Sequence, residues 1–186
     1  MTLSGRPDVI VVGAGIIGAA CALELARAGA RVLVLDAAAA GGGTTAAAMG
    51  HLVVMDDSEA QLALTAYSLG LWRALAPELP AQCELDPCGT LWIAADEGQL
   101  EALHAKQAYY SSHGVTAEVL DASALATLEP GLRAPLAGAL LVPGDSVVYP
   151  PGAAKYLLDE ACRAGATFLG GTAVQRVLTG AVLVSG

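Results

Sequence analysis

Lysine is nearly missing from this 186-residue chain: Lys106 and Lys155 are the only two. Nine basic residues stand against eighteen acidic ones, a net charge of −9, and the pI is near 4.6. Affinity for nucleic acid rests largely on clustered lysine and arginine, and no basic stripe is present, so a nucleic-acid partner is excluded. Cysteine is also sparse. Cys21, Cys83, Cys88 and Cys162 are scattered, with no C-x-x-C and no H-x-x-x-H nearby, which argues against a metal site and for a reducing, cytoplasmic compartment. The uncharged run over 9–23 is shorter than the ~20 residues a membrane-spanning helix needs, and glycines break it at 13, 15 and 18. A strand, a turn and a helix explain it better than a signal peptide does. G-x-S-x-G is absent and the Thr pair after three glycines lacks a P-loop lysine, so neither a serine-hydrolase elbow nor a P-loop is present.

What remains is 55% hydrophobic with 22 glycines and a mean hydropathy of +0.57. Such a chain buries a sizeable core, which rules out disorder and a disulfide-stapled miniature. The opening reads as a βαβ unit. Residues 8–12 (DVIVV) and 31–35 (RVLVL) are short β-branched runs suited to buried parallel strands, and 16–28 between them is a helix. Ser58 to Gln61 is a capping box opening a helix to about Ala76. Its apolar residues (Leu62, Ala66, Leu69 and Trp72, widened by Leu64, Leu71 and Leu75) predict a heavily buried helix. Strand candidates at 90–94, 118–120 and 138–142 then alternate with helices capped by Asp96 and Asp121, as an α+β layer would. Pro150-Pro151 opens a helix over 152–164 with Lys155–Asp159 and Asp159–Arg163 pairs. Strands are expected at 167–169, 173–177 and 181–184. A strand so close to the last residue reads as a chain truncated at its C-terminal side.

Gly13-Ala-Gly15-Ile-Ile-Gly18 is G-x-G-x-x-G set between strand and helix. Gly13 allows the tight turn, Gly15 lets a pyrophosphate approach the backbone, and Gly18 lets helix and strand pack. Free N–H groups and the helix dipole at Ile16 and Ile17 then favour the phosphates. Asp36 closes the second strand, 23 residues on from Gly13, where a carboxylate accepts both ribose hydroxyls. No basic residue follows it to hold a 2′-phosphate. An adenosine dinucleotide without that phosphate is the reading, and the small-residue stretch 41–50 favours FAD over NAD.

At this point the sequence resembles the D-amino acid oxidase family of FAD-dependent oxidoreductases, which includes glycine and sarcosine oxidases and D-amino acid and hydroxyproline dehydrogenases. The resemblance is carried by VIVVGAGIIGAACALELARAGARVLVLD, GGGTTAAAMGHLVV, the CGTLW at 88–92, Leu128-Glu-Pro130 and GDSVVYPP at 144–151. It implies an α/β fold in which a Rossmann-like FAD-binding domain with a parallel sheet (1–78 and an incomplete 147–186) is interrupted by an inserted α+β substrate domain (79–146). It also implies that Gly13, Gly15, Ile16, Ile17 and Gly18 meet the FAD pyrophosphate and Asp36 the ribose. Thr44, Thr45 and Ala46 would meet the phosphates and ribityl chain. Met49, Gly50 and His51 would lie beside the isoalloxazine, and Val174 would hold the adenine through its backbone. Some relatives tether the flavin through a histidine where this chain has Ala47, so FAD is expected to be non-covalent.

The implied activity is oxidation of the CH–NH bond of a small amino acid or amine. A hydride passes to flavin N5 and leaves an imine that hydrolyses to an oxo acid. His51 is the one candidate for a catalytic contact, the alternative being a structural loop histidine. The substrate-carboxylate arginine and the tyrosines of such sites are expected outside these 186 residues. Two other readings stay open: a non-catalytic flavin-binding fragment or subunit that needs a partner chain, and an NAD-dependent dehydrogenase. The sequence excludes neither self-association nor a partner chain, an electron-acceptor protein or a peripheral place at a membrane. His104, His113, the Cys83/Cys88 pair and Asp56-Asp57 all read more simply as solvated, incidental or helix-dipole residues.

Overall fold

The computed structural model describes residues 6–185; 1–5 and 186, included in the expected flavin-domain segments, lie outside that range. In chain order the elements begin with β1 (Val9–Val12), α1 (Ile16–Arg27), β2 (Val32–Leu35), α2 (Thr44–Ala47), β3 (His51–Leu52) and α3 (Glu59–Leu75). The middle holds β4 (Thr90–Ala94), α4 (Glu97–Ser112), β5 (Glu118–Asp121), α5 (Ala122–Leu128), β6 (Gly138–Val142) and β7 (Ser146–Val147). Then come α6 (Pro150–Arg163), β8 (Thr167–Leu169), β9 (Val174–Leu178) and β10 (Ala181–Val184). They fall into two compact units. One takes the chain up to Gly50, Glu78–Leu85 and everything from Val148; the other takes His51–Pro77 and Asp86–Val147.

The first unit is built on a parallel sheet in the order β1-β2-β8. Val9 to Val12 lie opposite Val32 to Leu35, and Leu33 to Leu35 opposite Thr167 to Leu169. β2 is buried along its whole length, which is why its four residues are all Val or Leu. α1 and α6 pack on each other. Their buried residues are Ala19, Ala22, Leu23 and Ala26 on one helix and Ala153, Ala154, Leu157, Leu158 and Ala161 on the other. Alanine on both sides lets the two backbones approach. The hairpin β9–β10 and the sheet enclose an apolar cleft of about 840 Å³, lined by Ile10, Val12 and Leu33 from the sheet and by Val177 and Val182 from the hairpin. α6 begins at Pro150, two residues earlier than expected, because a proline at the first helical position loses no hydrogen bond. Lys155 pairs with Asp159 as expected, but Arg163 pairs with Glu160 rather than Asp159. Positions three and four apart are both within reach on a helix, so spacing alone could not choose.

The second unit carries an antiparallel sheet in the order β4-β6-β5. Its helices start at the side chains read from the sequence. Ser58 Oγ accepts Gln61 N–H, Asp96 accepts Gln99 N–H and Asp121 accepts Ala124 N–H. The core cluster of Val54, Leu62, Leu69, Tyr110 and Val142 holds α3 in this unit. The expected domain segments placed 51–77 and Val147 with the flavin domain and 79–85 with the substrate domain, whereas the compact units have 51–77 and Val147 in the second and 79–85 in the first. The heavily buried α3 is corrected. Only Leu62 and Leu69 are buried, while Leu64, Tyr67 and Leu71 are 67%, 68% and 55% exposed. The fold is α/β: a parallel sheet interrupted in sequence by a unit with an antiparallel one.

Candidate cofactor-binding site

The site is assembled where β1 gives way to α1. Gly13 turns the chain at φ +103°, a region open to glycine, and its N–H donates to Leu35 O at 2.7 Å. A Cβ on Gly18 would run into the Gly13 carbonyl oxygen, so helix and strand approach only because residue 18 is glycine. The next backbone group, Ala14 N–H, donates to Asp36 Oδ2 at 2.6 Å. The other Asp36 oxygen accepts Ala38 N–H at 2.8 Å. One carboxylate thus holds the tip of β2 to the fingerprint turn. Gly41 N–H returns to Ala14 O at 2.9 Å, bringing the glycine-rich stretch over the same turn.

α1 has no side-chain cap and no acidic residue in its first turn. Its first ladder bond runs from Ala19 N–H to Gly15 O, so the N–H groups of Ile16, Ile17 and Gly18 precede the ladder. Ile16 N–H donates to Thr45 Oγ1 at 3.0 Å. A Cβ on Gly15 would come within 2.9 Å of that same hydroxyl oxygen. The result is a helix N-terminus whose positive dipole end, bare Gly15 and exposed Ile17 are set up for an anion. Thr45 is buried and 8% exposed, on the single-turn α2. Thr44 and Ala46 flank it on that turn and are exposed.

Gly13, Gly15, Ile16, Ile17, Gly18, Asp36 and Thr45 are therefore gathered in one cradle. Val174 opens β9 and is brought toward it indirectly, since Asp36 N–H donates to Leu169 O and Thr172 N–H to Asp36 O. Met49 is 79% exposed. Gly50, at φ +76°, accepts Val148 N–H at 2.9 Å, and a Cβ there would collide with the Val148 carbonyl. Close backbone packing already accounts for that glycine. His51 opens β3 in the second unit, where it is exposed and lies opposite Val147. The three acceptor and donor types on hand (helix N–H groups, a carboxylate at the strand tip, a threonine hydroxyl) are those a dinucleotide's diphosphate and ribose require, so the residues fit FAD.

Two polar features of the second unit escaped sequence reading. Asp145, in the turn after β6, is 1% exposed. Its Oδ1 accepts Val54 N–H at 3.2 Å and its Oδ2 has no hydrogen-bond partner among the described residues. Burial pushes its carboxyl above the ordinary value, against weaker pulls from Thr90, the Val54 N–H and the Arg73 charge. Lys106 Nζ donates to both Asp56 oxygens at 2.5 and 2.6 Å. It also lies 4.1 Å from the Trp92 ring centroid and 5.1 Å from that of Tyr110. Burial, with the Asp56 charge adding to it, pushes the Tyr110 phenol upward. Among the described residues no cluster of His, Cys, Asp or Glu could hold a metal ion, and no helix is long and apolar enough to cross a membrane.

The family model described as FAD dependent oxidoreductase matches residues 8–185. Glycine oxidase from Geobacillus kaustophilus (strain HTA426) is 32% identical over 172 residues, 88% of this chain and 46% of that protein. Its crystal structure superposes with a TM-score of 0.82, covering 92% of this chain and 48% of that one. The iminodiacetate oxidase of a Chelativorans species gives a TM-score of 0.73 at 27% identity, covering 87% of this chain and 46% of that one. L-proline dehydrogenase from P. horikoshii, at 23% identity, shares the fold with a TM-score of 0.85 over 95% of this chain and 47% of its own. The chain spans about half the length of these relatives. With the family pattern matched along nearly all of it, and the fingerprint folded as that pattern demands, this chain belongs to the DAO family of FAD dependent oxidoreductases.

Proposed function

We propose that the protein supplies the FAD-binding part of an enzyme oxidising the CH–NH bond of a small amino acid or amine to an imine, which water hydrolyses to an oxo acid. The observation that carries this reading is the cradle itself: the open N-terminus of α1, flanked by Asp36 and Thr45. Bound FAD supplies the hydride acceptor; the protein's part is to bind, orient and exclude water. Ile17 and Gly18 N–H groups and Thr45 would hold the diphosphate, with Thr44 and Ala46 beside it. Asp36 would accept the ribose hydroxyls through the lone pairs its two backbone donors leave free. Val174 would meet the adenine through its main chain, and Met49, Gly50 and His51 would border the ring. Ala47 offers no nucleophile, so the flavin is held without a covalent bond. Residues 79–146 would belong to the substrate domain. Four free cysteines suit a cytoplasmic place, including one at the periphery of a membrane or beside an electron-acceptor protein.

An absorbance spectrum of the purified chain tests the cofactor assignment: flavin bands in stoichiometric amount are expected. A colourless protein that binds NADH would overturn it. Anaerobic addition of glycine, sarcosine or D-proline then tests the substrate class, bleaching being the expected result. One observation favours a second reading. Since relatives are about twice as long, a yellow chain that bleaches with none of these would favour a non-catalytic flavin-binding fragment or subunit that needs a partner chain.

A further inference from the structure

α3 has two faces. One, through Leu62 and Leu69, is built into the core of the second unit. The other carries Leu64, Tyr67 and Leu71, which are 67%, 68% and 55% exposed. Ala60, Ala63, Gly70 and Ala74 surround them and are exposed as well. A contiguous apolar patch of this kind marks an interaction surface. The exposed positions recur at 60, then 63 and 64, 67, 70 and 71, and 74. That alternation of threes and fours is the spacing of a helix that packs lengthwise on another helix.

Gly70 stands inside the helix, where glycine is destabilising, and a Cβ built on it would meet nothing within 4 Å. Packing within the chain therefore gives no reason for a glycine there; a second backbone lying close to the helix does. The face is also complementary to its own reverse about Tyr67. Reversed at that residue, Leu64 falls opposite Gly70, Leu71 opposite Ala63 and Ala60 opposite Ala74. Each large side chain thus meets a small one, which is the self-complementarity that a two-fold interface requires. Charge agrees with this. Two copies that each carry −9 repel one another, yet α3 has no charged residue from Ala60 to Trp72. Glu59 and Arg73 flank that stretch. A parallel pair would set each of them beside its own kind, whereas an antiparallel pair brings opposite signs together at both ends.

We infer that this face binds a second copy of the chain, the two α3 helices running antiparallel and meeting at Tyr67. The interface is independent of the flavin cradle and of the proposed reaction. One helix face is small beside the roughly 800 Å² that each partner brings to a standard interface, so the pair forms reversibly and depends on protein concentration.

Sedimentation equilibrium of the full chain, from micromolar to millimolar concentration, reads the association. A monomer–dimer equilibrium is expected, and L64E/L71E should weaken it by about tenfold or more. G70L fills space that is open in the single chain, so it should raise the melting temperature of the monomer. The same variant should weaken pairing, because its side chain meets Leu64 of the second copy. Ala60 and Ala74 test the direction. A60E/A74K and A60K/A74E should pair more tightly than A60E/A74E and A60K/A74K, whereas net charge alone would rank A60K/A74K first. Circular dichroism melts establish that each variant is folded. A chain that stays monomeric throughout would leave the face to a different polypeptide and overturn the inference. A dimer unchanged in folded L64E/L71E would overturn it too. Equal pairing among the four end-charge variants, or unimpaired pairing in G70L, would overturn the antiparallel arrangement.

Discussion

Asp36 does two jobs with one side chain. Its oxygens already hold the Ala14 and Ala38 N–H groups, and the ribose would be a third partner. D36A should therefore lower FAD affinity and also the stability of the cofactor-free chain, each by about 1–3 kcal/mol. Flavin titration and urea unfolding read the two losses separately; a stable chain with unchanged affinity would refute the ribose role. G15V should abolish flavin binding, because its Cβ crowds the Thr45 hydroxyl that Ile16 N–H uses; full FAD content in the purified variant would count against the fingerprint. Asp145 makes a pH prediction. Its carboxyl is raised in the folded state from an ordinary 3.8, so the folded chain holds that proton more tightly than the unfolded one. The resulting stability is complete below 3.8 and is lost as pH rises through the higher folded value. D145N should thus gain on the wild type as pH rises above 3.8 in paired thermal melts; parallel pH profiles would rule this out. At this scale Gly13, Gly15, Gly18 and Asp36 were legible because their spacing is itself the geometry. Asp145 was not, since its burial depends on strands far away in the chain.

Elements were readable where a local rule has a single outcome. Ser58, Asp96 and Asp121 cap helices as read, because a cap needs only the three residues that follow. α3 misled for a physical reason. Between Glu59 and Arg73 it has no charged residue, so hydropathy cannot distinguish the face carrying Leu62 and Leu69 from the one carrying Leu64, Tyr67 and Leu71. The seam between α1 and α6 was half visible. Both helices were expected, but not that the alanines of one would pack on the alanines of the other. Close packing there leaves no room for a larger side chain: A22L, at a fully buried alanine, should cost about 1–3 kcal/mol by overpacking. Chemical denaturation measures it, and a variant as stable as the parent would mean that the seam can open without penalty.

Across the whole molecule, the βαβ opening and the interrupted α/β plan were legible. The pairing of β2 with β8 and the polar cluster that joins Lys106 to Asp56 were not, because they bring together residues fifty or more positions apart. That cluster has a consequence for amine chemistry. Acylating reagents attack only an accessible amine. Lys106, 17% exposed, is clamped between Asp56 and two rings. Lys155, 68% exposed, has only a surface partner in Asp159, and exposed pairs of this kind protect little. With just two lysines in the sequence, a succinimidyl ester should mark Lys155 of the folded chain far more than Lys106. Peptide mass spectrometry should show the two lysines reacting alike only after unfolding; equal labelling of the native chain would mean that the clamp opens freely.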